Sequence, residues 1–149
     1  MTDDDIQDSI KSILIAEDDD DDYGFIREAI LHNRLTIKIS RAENGDVLIK
    51  VLDEDSPDLL FLDISMPCRD GRQCLKEIRS NKKFDLLPII MYTAIRQDQD
   101  IDYCFREGAN LYALKPSSFN ELTTLIRNIL TIDWKRTQYY PPINQFVIG

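Results

Sequence analysis

Residues 12–22 read SILIAEDDDDD, a short apolar run that breaks into six consecutive acids from Glu17 to Asp22. An apolar run of this length bounded so sharply reads as a buried strand. Tyr23, Ile26, Ala29 and Ile30 then recur at helical spacing, which predicts a helix over residues 22–33. The alternation repeats along the chain. Strands are predicted over 35–40, 59–63, 86–92 and 110–114, and helices over 43–53, 71–80, 97–107 and 119–130. Five strand-helix units with apolar strands call for an α/β fold: a five-stranded parallel sheet, helices on both faces and right-handed crossovers.

The chain has 149 residues, enough for one domain with one core. Residues 12–130 are expected to form it, after an acidic extension over 1–11 and before a tail over 131–149 that is too short for an output domain. That tail holds Trp134, Tyr139, Tyr140, Pro141 and Pro142, aromatic enough to dock on the body. No apolar run approaches the roughly 20 residues of a membrane-spanning helix, and Met1 to Asp5 carries three aspartates where a signal peptide needs positive charge. A cytoplasmic location is the expectation. Cys68, Cys74 and Cys104 form an odd set without CxxC spacing and are expected as free thiols. A net charge of −9 disfavours direct nucleic-acid binding, which draws on clustered Lys and Arg.

In open parallel sheets ligands bind beyond the carboxyl ends of the strands. The strand ends here are chemically distinctive. The first ends in Glu17-Asp18 and the third in Asp63, whereas Asp58 begins the third strand and faces the far edge. A run of acids is ordinarily a solvated stretch; Asp19 to Asp22 fit that, as the loop and the dipole-complementing first turn of a helix. Glu17 and Asp18 directly follow a buried strand, so at least one carboxylate should enter the crevice. Carboxylates converging there repel unless a cation neutralises them, and Mg2+ takes one or two carboxylates plus waters and a phosphate oxygen. The fourth strand ends in Thr93-Ala94 and the fifth in Lys115-Pro116. Acid, hydroxyl and ammonium at one edge suit a metal ion and a phosphoryl group held together.

These four strand ends, in this order and with Leu62-Asp63-Ile64-Ser65-Met66-Pro67 followed by Asp70-Gly71, resemble the receiver domain of response regulators in two-component signalling. The resemblance covers about residues 12–130 and implies a flavodoxin-like fold. It implies that Asp63 is the phosphoacceptor and that Mg2+ (or Mn2+) is bound by Asp18, Asp63 and the Ser65 backbone carbonyl, with Glu17 acting through a water. It further implies that Lys115 pairs with the phosphoryl oxygens, that the Lys115–Pro116 peptide is cis, and that Thr93 and Tyr112 are switch residues, the Tyr112 ring turning inward on phosphorylation. Glu17 stands where the family usually has Asp, and Cys68-Arg69 where it often has Gly and a hydrophobic residue, so the turn after Asp63 is expected to differ. His32 reads as a partner of its helix's C-terminal dipole, not as a phosphodonor.

The implied partners are a sensor histidine kinase or a histidine phosphotransfer protein, and an unknown downstream protein. The face of the fourth helix, fifth strand and fifth helix would serve as output surface or homodimer interface. On this reading the chain is a single-domain phosphoacceptor and not an enzyme in the ordinary sense. Ile95, two residues beyond Thr93, cannot orient a water and implies a long phosphoryl lifetime. A phosphatase of the haloacid-dehalogenase kind would need an Asp where Ser65 stands. The alternative is a receiver-like binding module that is never phosphorylated, although such modules typically lose a site residue and all are present.

Overall fold

The computed structural model describes residues 10–34, 36–135 and 139–149. In chain order the elements are β1 (Ser12–Ala16), α1 (Asp20–Asn33), β2 (Lys38–Ala42), α2 (Gly45–Glu54), β3 (Leu59–Leu62), α3 (Gly71–Arg79), β4 (Ile89–Thr93), α4 (Asp98–Arg106), β5 (Leu111–Leu114), α5 (Phe119–Leu130), a single turn α6 (Ile143–Phe146) and β6 (Val147–Ile148). The strands pair in parallel in the order β2-β1-β3-β4-β5-β6. Strand order reverses direction between β1 and β3, so the loops leaving them part and open a crevice at that point.

The strands are apolar on both faces because both faces are covered. Ile13 and Ile15 of β1 and Phe61 of β3 pack with Ile26 and Ile30 of α1 and Ile126 and Ile129 of α5. Leu14 and Leu60, pointing the other way, pack with Leu48 of α2, Leu75 of α3 and Cys104 of α4. Successive strand residues alternate between the two cores, which is why no polar alternation marks these strands in the sequence.

The helix starts have chemical causes. Asp19 caps α1 by accepting from the Asp22 amide at 2.8 Å, and Asp20, Asp21 and Asp22 form an acidic first turn. The helix therefore begins two residues before the predicted start. Asn44 caps α2 in the same way, Asp70 caps α3 in a capping box with Gln73, and Ser118 caps α5. β2 lies later than its predicted 35–40, because pairing sets Ser12 opposite Lys38 and runs to Ala42. Leu35 lies outside the described residues, as do residues 1–9 of the acidic extension; Ile10 is fully buried.

The tail extends the sheet. β6 adds a sixth strand to the five predicted, with Val147 opposite Tyr112 and Ile148 opposite Ala113. Two residues carry no readable period, so this strand is invisible in the sequence. Side-chain contacts among the described residues hold the tail as well. The Trp134 ring meets Tyr139 edge-on at 5.6 Å while its Nε1 donates to the Ile129 carbonyl at 3.0 Å. Buried Asn110 donates to the Tyr139 carbonyl at 2.8 Å and accepts from the Ile89 amide at 2.8 Å and Arg79 at 2.9 Å. Phe146 is fully buried against Phe105 of α4 and Tyr112 of β5.

Candidate functional site

At the carboxyl edge of the sheet the ladder runs one residue past the strand ends. The Glu17 amide donates to the Ala42 carbonyl at 3.0 Å, the Asp63 amide to Ala16 at 3.1 Å and the Lys115 amide to Thr93 at 3.0 Å. Each site residue thus has a sheet-fixed backbone and a side chain free to enter the crevice. Glu17 is 1% exposed and Asp63 4%, while Asp18 faces solvent. Ligand oxygens of these three carboxylates all lie within 4.8 Å of one another. Asp58 is elsewhere, at the start of β3, where it accepts from the Lys11 and Ser12 amides at 2.8 and 3.1 Å and from Lys135 at 2.6 Å.

The Lys115 ammonium sits among carboxylates, 2.6 Å from Glu17 Oε1, 2.8 Å from Asp22 Oδ2 and 2.9 Å from Asp63 Oδ2. Burial works to lower its pKa, but the hydrogen bonds it donates to Asp22, Glu17 and Asp63 outweigh that and raise it, so Lys115 stays charged. For Glu17, burial dominates and the neighbouring Asp63 charge adds to it; against the opposing Lys115 bond they push its carboxyl up from 4.5 to about 7. The donor set is all oxygen, partly open to solvent through Asp18, and in excess of the one ammonium. That chemistry fits a hard divalent cation of the Mg2+ class.

The loop after β3 is pressed between two helix starts. The Gly71 amide donates to Ile64 at 2.8 Å, and a Cβ there would stand 2.2 Å from the Asp63 carbonyl oxygen; at Gly45 it would stand 2.2 Å from the Arg69 carbonyl oxygen. Cys68 takes the left-handed conformation at φ 69, a position that favours glycine, so a cysteine there carries backbone strain. Arg69 spans the loop, pairing with Asp46 of α2 at 3.0 Å and with Glu77 of α3. The Ser65 amide donates to Asp63 Oδ1 at 3.3 Å. The thiols of Cys74 and Cys104 are buried, and burial raises both.

Thr93 is buried at the end of β4, its Oγ1 accepting from the Ile95 amide at 3.3 Å. The Tyr112 hydroxyl donates to the Ile95 carbonyl at 2.8 Å. Two bonds through Ile95 therefore connect the site hydroxyl to Tyr112. The Tyr112 ring is fully buried, and Phe146 packs against it. The Lys115–Pro116 peptide is trans, not cis; trans is the lower-energy form of an X–Pro bond by about 0.5–1 kcal/mol. His32 lies in the last turn of α1, its ring edge-on to Phe119 at 6.3 Å.

Two participants were missed in the sequence. The sequence marks Asp22 as helix-dipole charge, yet one helical turn carries it over to Lys115. Arg41, on edge strand β2, donates from Nε to the Glu17 carbonyl at 3.0 Å, pairs with Asp20 at 2.9 Å and lies over the Tyr23 ring at 4.5 Å. Neither carries a local signal, because the pairings join residues of different elements.

The model of the response regulator receiver domain matches residues 13–127. The chain belongs to the response regulator receiver family, the signalling domains phosphorylated in two-component systems. It is 36% identical over 121 residues to the transcriptional regulatory protein AfsQ1 of Streptomyces coelicolor, covering 80% of this chain but 51% of that protein. The chain thus spans about half the length of that curated relative. Against the chemotaxis protein CheY of Halobacterium salinarum it is 34% identical over 122 residues, 81% of this chain and 98% of that protein. The crystal structure of the Mn(2+)-bound form of response regulator Rcp1 superposes with a TM-score of 0.75 over 89% of this chain and 99% of that one, at 23% identity, a likeness of fold alone. Among the described residues no helix is long and apolar enough to cross a membrane.

Proposed function

We propose that the chain is a phosphorylation switch in which Asp63 accepts a phosphoryl group from a sensor histidine kinase or a phosphotransfer protein in the cytoplasm. The observation that carries this reading is the placement of Lys115 Nζ 2.9 Å from Asp63 Oδ2 at an edge where Glu17, Asp18 and Asp63 converge. Asp18, Asp63 and the Ser65 carbonyl would hold Mg2+ or Mn2+, with Glu17 supporting at one remove. A bound divalent cation would supply charge neutralisation for the incoming phosphoryl oxygens.

The chain's own residues have definite parts. A carboxylate oxygen of Asp63 attacks phosphorus in line; the new O–P bond forms as the N–P bond to the donor imidazole breaks, and its electron pair leaves with the nitrogen. Lys115 moves to a phosphoryl oxygen. Thr93, whose oxygen accepts from the Ile95 amide, donates its hydroxyl proton to another. That movement pulls on residue 95 and so on the bond from Tyr112. Driving a two-state element from mostly off to mostly on needs a preference of about 5.5 kcal/mol. Two charge-assisted hydrogen bonds, at roughly 1.5–3 kcal/mol each, are of that order. The output surface, or a homodimer contact, is the face of α4, β5 and α5, which in this chain also carries β6.

The test is to mix the protein with Mg2+ and acetyl phosphate and measure intact mass. One phosphate adduct is expected, absent in Asp63→Asn. Without an adduct, a receiver-like binding module would be the better account.

A further inference from the structure

Lys115 has three carboxylate partners, but only two of them belong to the cation site. Glu17 and Asp63 are members of the converging trio, whereas Asp22 is not. Its side chain is 40% exposed and approaches Nζ from the first turn of α1. The cap fixes its backbone, because the Asp22 amide donates to Asp19 Oδ1 at 2.8 Å, and the Tyr92 ring lies 5.4 Å from Nζ. Lys115 therefore reaches across three carboxylates while its backbone remains in the sheet.

A cation arriving among Glu17, Asp18 and Asp63 meets an ammonium that already neutralises two of them. Like charges this close repel strongly, and an ammonium pushed off both carboxylates without another partner would be left unpaired at a half-buried site. We propose that Asp22 is a positioning residue: a seat outside the cation site that receives the Lys115 ammonium when a divalent cation enters, and from which Lys115 is handed to the phosphoryl group. This rests on the phosphorylation reading for its second half only. The exchange of partners between Lys115 and the cation requires no phosphate.

The proposal separates from plain electrostatics by coupling. Removing a charge near a cation site weakens binding whatever Lys115 does, and pairwise Coulomb effects add. A seat acts only through Lys115. Mg2+ and Mn2+ titrations by calorimetry on the full chain would compare wild type, Asp22→Asn, Lys115→Met and the double variant. Asp22→Asn is expected to weaken binding on the order of tenfold with Lys115 present and less than about twofold in Lys115→Met, a coupling of the size seen for contacting residues. Asp22→Glu, which keeps the carboxylate, should recover most of the loss and guards against a folding artefact. The Lys115 side-chain NMR signals should shift on cation addition in wild type and shift differently in Asp22→Asn. Equal weakening in both backgrounds, no weakening, or no cation binding by wild type would each overturn the proposal. If cations bind with the expected coupling but acetyl phosphate leaves no adduct, the seat stands and the phosphorylation reading falls.

Discussion

The Phe146 ring lies 6.1 Å from that of Tyr112, tilted by 49°. A residue three places from the end of the described chain thus covers the aromatic residue wired to the site through Ile95. Phe146→Ala empties a fully buried position and is expected to cost about 3–5 kcal/mol. Hydrogen exchange should find the amides of β6 unprotected first, with a lowered melting temperature in calorimetry. Ile143→Ala, in the same turn but 47% exposed, should stay within about 0.5 kcal/mol of wild type.

Gly71 is the only residue type that fits where α3 starts beneath Asp63. In Gly71→Ala the new methyl meets backbone atoms of residues 63 and 64, which cannot rotate away as a side chain could. Overpacking of this kind costs about 1–3 kcal/mol. Because the displaced atoms include the Asp63 carbonyl, cation affinity in calorimetric titration should fall along with stability in urea denaturation.

Glu17 makes the cation-free protein pH-sensitive. Burial pushes its carboxyl in the folded protein up from 4.5 to about 7, so across that window the folded state holds a proton that the unfolded chain has lost. Unfolding free energy should therefore fall as pH rises from 4.5 to about 7 and then level off. Cation affinity should show the opposite trend and plateau above 7, since the proton must leave. Urea denaturation and metal titration at pH 5, 6, 7 and 8 check both trends, and Glu17→Gln should flatten them.

Ile95 places an aliphatic side chain next to Thr93, with nothing to orient an attacking water. Ile95→Glu should shorten the life of the phosphoryl group on the order of tenfold. Loss of the adduct followed by intact mass decides it; equal lifetimes would contradict the assignment.

Asn110 satisfies three groups at once: the Ile89 amide, Arg79 and the Tyr139 carbonyl. Asn110→Ala orphans them in a buried place and is expected to cost about 1–3 kcal/mol, measurable by thermal unfolding.

The strand ends were legible because each site residue follows directly after an apolar run, and a parallel sheet sends all those ends to one edge. Glu17, Asp63 and Lys115 meet in one crevice for that reason, with Thr93 at the end of the strand beside Lys115. β2 was placed early because an edge strand has one sheet neighbour and a weaker apolar pattern; its register came from pairing with β1. Asp22 and Arg41 carry no such signal, because charges on a helix turn and an edge strand have the pattern of solvated residues whatever their partners.

From sequence alone came the α/β alternation, the order of the elements and the chemistry at the strand ends, since hydrophobic period and residue type are local properties. The tertiary structure alone decided that Lys115 is shared by three carboxylates, that Phe146 packs on buried Tyr112, and that the tail joins the sheet as β6. Those facts are contacts between residues far apart in the chain, such as Asp22 with Lys115 and Tyr112 with Phe146. No local pattern encodes them, because they depend on which surfaces meet when the sheet assembles.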